Sequence, residues 1–120
     1  MSKHATPMTE TIISRAEAIA RLNDGLRKTG QGGVIVVTNG LRALACFDAQ
    51  RLLELLANYD RFDADNDPHS EHDFGDLEFA GADLLWKIDY YDLDMDYASP
   101  DPADAAVTRR ILTVMLASEW

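Results

Sequence analysis

The segment from Asp63 to Tyr97 constrains the fold of this chain more than any other part of the sequence. Its second half alternates apolar and polar residues, which is the pattern of a strand with one buried face. We predict paired strands over 77–80 and 84–91, joined by a type II′ turn at Gly81-Ala82, because that turn places glycine at its first central position. The residues predicted to face the core are Leu84, Trp86, Ile88 and Tyr90.

Helical spacing of apolar residues marks two segments before this hairpin. The first predicted helix starts at Thr9 or Thr11 and ends near Lys28, followed by Gly30 as a left-handed C-terminal residue. The second runs from its cap at Asp48 to about Tyr59. Between them lies the β-branched run VIVV (34–37), whose lack of alternation predicts a strand covered on both faces.

A fourth apolar segment ends the chain, and we predict a third helix for it. Asp101 is a favourable N-cap, Pro102 suits the first helical position and Asp104 suits the helix dipole. The element order is then α-β-α-loop-β-β-α. This order predicts an α+β fold in which helices cover a small, mostly antiparallel sheet. Residues 1–8 are expected to form a flexible tail and residues 9–120 a single domain.

The charge of the chain is strongly asymmetric. The net charge is −10, and between Asp63 and Asp104 there are 14 acidic residues and one basic residue, Lys87. Direct binding of nucleic acid is therefore not expected, because phosphates require basic patches. The single cysteine, the lack of an apolar run that could span a membrane and the lack of a leader pattern predict a cytoplasmic protein that does not bind membranes.

The loop before the hairpin carries the residues that are the best candidates for metal binding or catalysis. His69 and His72 stand three apart beside Asp73, and two imidazoles with a carboxylate can bind a metal or act in acid–base catalysis, with Asp89 as a further candidate. Pro68 disfavours the helix that would bring both rings to one face. We therefore expect no metal or other cofactor, and an enzymatic role is the less favoured interpretation.

Acidic and tyrosine side chains form the predicted binding surface. The spacing of Asp63, Asp65 and Asp67 resembles the start of an EF-hand loop, but Pro68 and Phe74 stand where that loop needs glycine and glutamate. The remaining candidates lie beside them in the loop or after the second strand, and they are Glu71, Tyr91, Asp92, Asp94, Asp96 and Tyr97. Arg109 and Arg110 are expected to pair with Asp89 or Asp92.

Four motifs distributed over most of the chain suggest a family. They are IARLND (19–24), NDPHSEHDFG (66–75), WKIDYYD (86–92) and SPDPADAAVTRRILTVML (99–116). With these motifs the chain resembles a family of small bacterial proteins known as domain-of-unknown-function family 3768. The resemblance implies an origin on plasmids and other mobile elements. It implies no activity and no catalytic residues, since none is assigned to the family.

Three functional hypotheses are compatible with these observations. The favoured one is a non-enzymatic protein whose acidic face binds a basic or nucleic-acid-binding protein, in one version as a DNA mimic that inhibits a host defence system. The second is a metal-binding or hydrolytic module built on His69, His72 and Asp73. The third is a scaffold or homodimer subunit in which the same residues only stabilise the loop.

Overall fold

A computed structural model describes residues 13–120, which form three α-helices and one four-stranded sheet. The elements are α1 (Arg15–Thr29), β1 (Gly33–Val37), α2 (Asn39–Arg42), α3 (Ala49–Ala57), β2 (Phe74–Phe79), β3 (Ala82–Tyr91) and β4 (Arg109–Leu116). Single 3₁₀ turns flank β4 at Ala105–Val107 and Ala117–Glu119. The tail predicted for residues 1–8 and the caps predicted at Thr9 and Thr11 lie outside the described residues. The division into a tail and a domain over 9–120 stays a prediction.

The sheet is mixed, with the strand order β1-β4-β3-β2. β2 pairs with β3 and β3 pairs with β4 in antiparallel fashion, whereas β1 pairs with β4 in parallel. This arrangement confirms the predicted α+β class and the mostly antiparallel sheet. No helix within residues 13–120 combines the length and the apolar character needed to cross a bilayer.

The predicted third helix is wrong, because the last apolar segment forms β4, the strand between β1 and β3. Asp101 accepts a hydrogen bond from the N–H of Ala103, and Asp104 caps only a 3₁₀ turn. The residues that follow are rich in β-branched side chains and alternate between the two faces of the sheet, with Leu112 and Val114 fully buried. Pairing on both sides outweighs the helix-start pattern at Asp101-Pro102.

β1 is an edge strand with one exposed face, and this exposure shows that the prediction of two covered faces is wrong. The final strand of the chain occupies the central position next to it. Ile35 and Val37 contact the core, whereas Val34 and Val36 remain 53% and 39% exposed on the other face. The uninterrupted apolar run therefore reflects an exposed valine face and not burial.

The hairpin of β2 and β3 is confirmed, but its turn is not of the predicted type. The two connecting residues are Ala80 and Gly81, and both have positive φ, at 53° and 78°. Positive φ at both central residues defines a type I′ turn, whose twist matches that of the strands. β2 also begins earlier than predicted, at Phe74.

Local capping predictions hold for the helices. Gly30 ends α1 with a φ of 76°, and Asp48 caps α3 by accepting from the N–H of Arg51. The described start of α1 uses Ser14, whose hydroxyl accepts from the N–H of Glu17 at 3.0 Å. These side-chain acceptors satisfy helical N–H groups that have no partner within the helix.

The helices cover one face of the sheet, and Trp86 lies at the centre of that interface with no exposed surface. Tyr59 packs edge-on against Trp86 at 5.4 Å between ring centroids. Gly75 opposes Trp86 on β2, and a Cβ there would stand 2.5 Å from the indole Nε1 and 2.6 Å from the Tyr59 ring. Glycine at this position is what allows the two rings to approach. The other buried members of the core are Leu26, Leu41, Leu52, Leu56, Leu77, Phe79, Leu84, Ile88, Leu112 and Val114.

Candidate functional site

Three acidic segments join the sheet at the same end. Segment 60–73 leads into β2, segment 92–98 leaves β3 and segment 99–108 leads into β4. Because β3 runs antiparallel to both neighbours, its last residue, Tyr91, pairs with the first residue of β4, whereas β2 begins four residues earlier along β3, where Phe74 pairs with Lys87. We call this end of the sheet the acidic end. Its acidic residues are Asp60, Asp63, Asp65, Asp67, Glu71, Asp73, Asp92, Asp94, Asp96, Asp101 and Asp104.

The segment after β3 is a compact turn and does not extend the strand. Asp92 accepts a hydrogen bond from the N–H of Asp96 at 3.0 Å, and Met95 adopts a left-handed backbone with a φ of 63°. Asp94 and Asp96 are exposed, and Tyr97 is 76% exposed. The turn is therefore held by the Asp92 carboxylate, while the carboxylates of Asp94 and Asp96 and the Tyr97 ring face solvent.

The loop from 60 to 73 is held in place by its own acidic residues. Asp63 accepts from the N–H groups of Asp65 and Asn66, and buried Asp67 accepts from those of Glu71 and His72 at 3.1 Å. Asp63 and Asp65 remain exposed. Asp67 is thus one of the predicted binding residues that the structure places inside, whereas Asp63 and Asp65 are at the surface.

His72 is fixed between the loop and α1. Its Nδ1 lies 2.9 Å from Asp24 Oδ1, its Nε2 lies 3.8 Å from Asp67 Oδ2, and its ring stacks on Phe62 at 4.0 Å. His72 has a φ of 57°, a conformation that L residues seldom adopt. The contacts on both sides of the ring hold this conformation.

Arg27 extends the same group of contacts into the protein interior. Its guanidinium donates to the carbonyls of Leu56 and Tyr59 at 2.8 and 2.9 Å and pairs with Asp24 at 2.9 Å. It also lies 5.3 Å from the centre of the Phe62 ring. Arg27 therefore joins α1 to the end of α3 and to the start of the loop.

A second set of polar groups joins α1 to the sheet. Buried Asn23 donates to the carbonyl of Glu71 and the hydroxyl of Tyr90, and it accepts from Arg110 Nε at 2.9 Å. The Tyr90 hydroxyl donates to Glu71 Oε1 at 2.9 Å, and Arg110 also donates to the carbonyl of Pro102. We call the two sets together the buried polar network, whose members are Asn23, Asp24, Arg27, Asp67, Glu71, His72, Tyr90 and Arg110.

Burial shifts the titration of groups in and beside this network. It raises the pKa of the Tyr90 hydroxyl, and the charges of Asp73 and Glu71 add to that effect against the hydrogen bond from Asn23. Burial also raises the pKa of Asp73, again with Glu71 adding to it, and lowers the pKa of Arg110. Tyr90 therefore stays protonated at neutral pH and keeps its hydrogen to donate to Glu71.

The residues of the metal or catalytic hypothesis, His69, His72, Asp73 and Asp89, differ in their contacts and exposure. Asp89 lies on the opposite face of β3 from Tyr90 and pairs with Lys87 at 2.9 Å. His69 is exposed, while His72 is engaged by two carboxylates. Within residues 13–120, no three His, Cys, Asp or Glu residues are grouped so that they could hold a metal ion. A shallow depression of about 340 Å³ borders His72, with Phe62, Asp63 and Ser70 among its lining residues.

The predicted pairing of the two arginines is wrong as well. Arg109 donates to the carbonyl of Leu93, and Arg110 bonds to Asn23 and Pro102. Neither contacts Asp89 or Asp92 through an ion pair in the described part of the chain. Because the segment is a strand, the two arginines point to opposite faces, and the backbone carbonyls next to them take the place of the expected carboxylates.

Sequence reasoning missed Asn23, Asp24 and Arg27. A pattern for two of them exists in α1, since Ile19, Asn23 and Arg27 follow steps of four along one buried face. A polar residue at such a position predicts a buried hydrogen-bond partner, although the pattern does not identify the partner. The long-range partners of Asn23, 48 to 87 residues away, have no local pattern.

The fold and the site define a small α+β protein with a mixed four-stranded sheet, an interior polar network and an exposed acidic end. A family model described as "Protein of unknown function (DUF3768)" matches residues 37–119, and the chain therefore belongs to this family. The match covers α2, α3 and the three strands of the antiparallel part, while α1 lies before it. A search of curated proteins and a search of solved structures each find no match.

Proposed function

We propose that this protein is a non-enzymatic binding protein whose acidic end docks a basic protein partner. The observation that carries the proposal is the sheet topology, which joins three acidic segments to one end of the sheet. Exposed carboxylates from Asp63, Asp65, Asp94 and Asp96 lie on two of these segments. A surface of one charge sign attracts a partner of the opposite sign and sets the rate of encounter.

The basic residues near this end leave much of the acidic charge uncompensated. Arg15 pairs with Asp101 at 3.1 Å and Lys87 pairs with Asp89 at 2.9 Å, whereas Arg109 binds a carbonyl and Arg110 is buried. The carboxylates of the turn after β3 have no basic partner among the described residues. They are therefore available to Lys or Arg side chains of another protein.

The partner we propose is a nucleic-acid-binding protein, met by this chain in the cytoplasm. Duplex DNA carries one negative charge per about 1.7 Å of axis, so a protein that competes with DNA must present a dense cluster of carboxylates. Three segments that meet at one end come closer to that density than one strand could. The mobile-element origin that the family resemblance implies favours a partner from a host defence system.

The buried polar network supports a preformed docking surface. His72, Tyr90 and Arg110 are each hydrogen-bonded within the fold. Their partners lock the loop against α1 and the sheet. A rigid loop costs less conformational entropy when a partner binds, which suits a preformed docking surface.

The test is a comparison of two variants that remove equal charge from opposite ends of the sheet. The first is Asp92→Asn/Asp94→Asn/Asp96→Asn, at the acidic end. The matched control is Asp76→Asn/Glu78→Gln/Asp83→Asn, in which three exposed acids of the β2–β3 hairpin are neutralised. Tagged chains are used to capture a panel of purified basic nucleic-acid-binding proteins at low salt, with and without duplex DNA as competitor.

We expect the acidic-end variant to bind a captured protein about tenfold more weakly than the natural chain, because three charge pairs with exposed Asp94 and Asp96 and half-buried Asp92 together contribute about 1 kcal/mol or more. The control variant should bind within about twofold of the natural chain. Binding should weaken as salt is added and should compete with DNA. If no member of the panel binds at low salt, or if both variants lose binding equally, the proposed function is wrong.

A further inference from the structure

The two edges of the sheet differ in how they are protected. At the β2 edge, Asp76 accepts a hydrogen bond from Arg61 at its carbonyl, and its N–H lies 3.4 Å from the Tyr59 hydroxyl. Exposed Asp76 and Glu78 also place charges along that edge. Charged residues and covering side chains are the usual means by which proteins prevent strand addition at an edge.

β1 itself carries none of these protections, and the exposed charged side chain beside it is Lys28, which lines the groove next to Ile35 and Val37. The five residues of β1, GVIVV, include no charge and no proline. Its only neighbouring strand in the described chain is β4. An uncharged, β-branched edge of this kind is a template for another strand.

The direction of the free backbone groups of β1 follows from one hydrogen bond. Thr38, the residue after the strand, donates its N–H to the carbonyl of Val114 on β4 at 3.1 Å. Backbone groups alternate in direction along an extended chain, so Val34 and Val36 also point theirs toward β4. Gly33, Ile35 and Val37 therefore direct their N–H and C=O groups outward from the sheet.

We propose that β1 pairs with β1 of a second copy of this chain, antiparallel and centred on Ile35. In this arrangement Ile35 faces Ile35 of the partner copy, and Gly33 of each copy faces Val37 of the other. Each of these three pairs exchanges two hydrogen bonds, as the closely bonded pairs of an antiparallel ladder do. Every outward N–H and C=O of one β1 then finds a partner in the other, and the two sheets become one.

The exposed valines fit the same alignment. Val34 of one copy stands opposite Val36 of the other, at the non-hydrogen-bonded positions where side chains approach most closely. These two residues are 53% and 39% exposed in the single chain. On the other face, exposed Leu53 lines a 440 Å³ groove beside Ile35 and Val37, which extends the apolar surface along the edge.

Charge favours a second copy over a strand of another kind. Most of the surface charge of this chain is negative, yet the β1 edge is neutral, so two copies can meet there without opposing carboxylates. Antiparallel alignment also directs α2 of one copy, which follows β1 and carries exposed Arg42, toward the end of the other where Asp92, Asp94 and Asp96 lie. The inference does not depend on the proposed function of the acidic end.

The test measures the mass of the full chain by sedimentation equilibrium. We expect the natural chain to have twice the chain mass of 13.3 kDa. The variant Val34→Lys/Val36→Lys should fall to a single chain mass with an unchanged far-ultraviolet circular dichroism spectrum. The matched control, Asn58→Lys/Ser118→Lys, adds the same charge at exposed positions outside β1 and outside the acidic end, and should remain a dimer.

A second arm tests the alignment through disulfide formation after exposed Cys46 is replaced by serine. A mixture of Val34→Cys and Val36→Cys chains should cross-link on mild oxidation, since facing non-hydrogen-bonded residues have the Cα separation that a disulfide needs. Either chain alone should cross-link much less. If the natural chain is a monomer, the proposal is wrong. It is wrong also if the chain dimerises only after residues 1–12 have been removed. A folded double-lysine variant that stays dimeric overturns it too.

Discussion

At the scale of single residues, most of the buried polar side chains described in this protein have hydrogen-bond partners within the fold. Asn23 uses both its amide donors and its carbonyl in contacts with Glu71, Tyr90 and Arg110. Removing one partner of such a set leaves a buried group unsatisfied, which costs about 1–3 kcal/mol. The network therefore specifies one arrangement of the loop against α1.

Asp73, beside the network, lies in an environment that disfavours its charge. Its pKa is raised above 3.8 by burial and by the charge of Glu71. A carboxyl whose pKa is higher in the folded than in the unfolded chain makes the folded state less stable as pH rises between the two values. We predict that Asp73→Asn raises the melting temperature at pH 7. At pH 3 the substitution should leave the melting temperature nearly unchanged, because the protonated Asp73 carboxyl and the asparagine amide are both neutral.

Thermal melts of the two proteins between pH 3 and pH 7 measure the difference directly. The matched control is Asp83→Asn, at an exposed residue of the hairpin, which should show little change across this range. A difference for Asp73→Asn that grows as the pH falls would contradict the prediction.

The sequence allows some of these residues to be predicted but not others. Asp48, Gly30 and Trp86 were identified because a cap, a helix end and a strand face each leave a pattern within a few neighbouring residues. Asn23, Arg27 and Arg110 depend on partners from distant segments. Their burial follows from the fold, and the fold in turn depends on where β4 lies.

At the scale of elements, the turn of the β2–β3 hairpin contains a poor match between residue type and backbone. Ala80 holds a φ of 53° in the type I′ turn, where asparagine or glycine is normally found. A residue with a Cβ in this conformation adds strain unless its side chain bonds locally, as that of asparagine does.

We predict that Ala80→Asn stabilises the protein by about 0.5–1 kcal/mol, because asparagine adopts the left-handed conformation more readily than alanine. Urea unfolding at equilibrium measures this change. Ala43→Asn is the control, since Ala43 is also exposed but has a φ of −76°, and it should change stability by no more than about 0.5 kcal/mol. Equal effects at the two positions would show that the turn conformation is not the cause.

The last segment shows why element prediction failed where it did. The sequence from Ser99 to Asp104 has the residues of a helix start, but the structure uses them for turns held by Thr108. The alternation from Arg109 to Leu116 was hidden because adjacent residues on both faces are apolar. A strand with apolar residues on both faces has no clear period in its sequence, and only its position between two other strands distinguishes it from a helix.

At the scale of the whole molecule, the uneven distribution of acidic charge lowers the stability of the folded state. The net charge is −10, and acidic residues are concentrated in the three segments that join one end of the sheet. Repulsion among like charges destabilises the compact state. Salt screens this repulsion, most strongly between charges more than about 10 Å apart at 0.1 M ionic strength. This effect exists without any partner and can be measured on the isolated protein.

We predict that the melting temperature rises by about 2–5 °C between low salt and about 0.5 M sodium chloride, the shift expected from relief of roughly 1 kcal/mol of repulsion. Asp92→Asn/Asp94→Asn/Asp96→Asn should start higher at low salt and lose most of this dependence, because it removes charge where repulsion is concentrated. Asp76→Asn/Glu78→Gln/Asp83→Asn removes equal charge from the opposite end and should keep more of it. Equal salt dependence in the two variants would mean that repulsion is spread evenly over the molecule, and the acidic end would then have no distinct electrostatic character on which a basic partner could act.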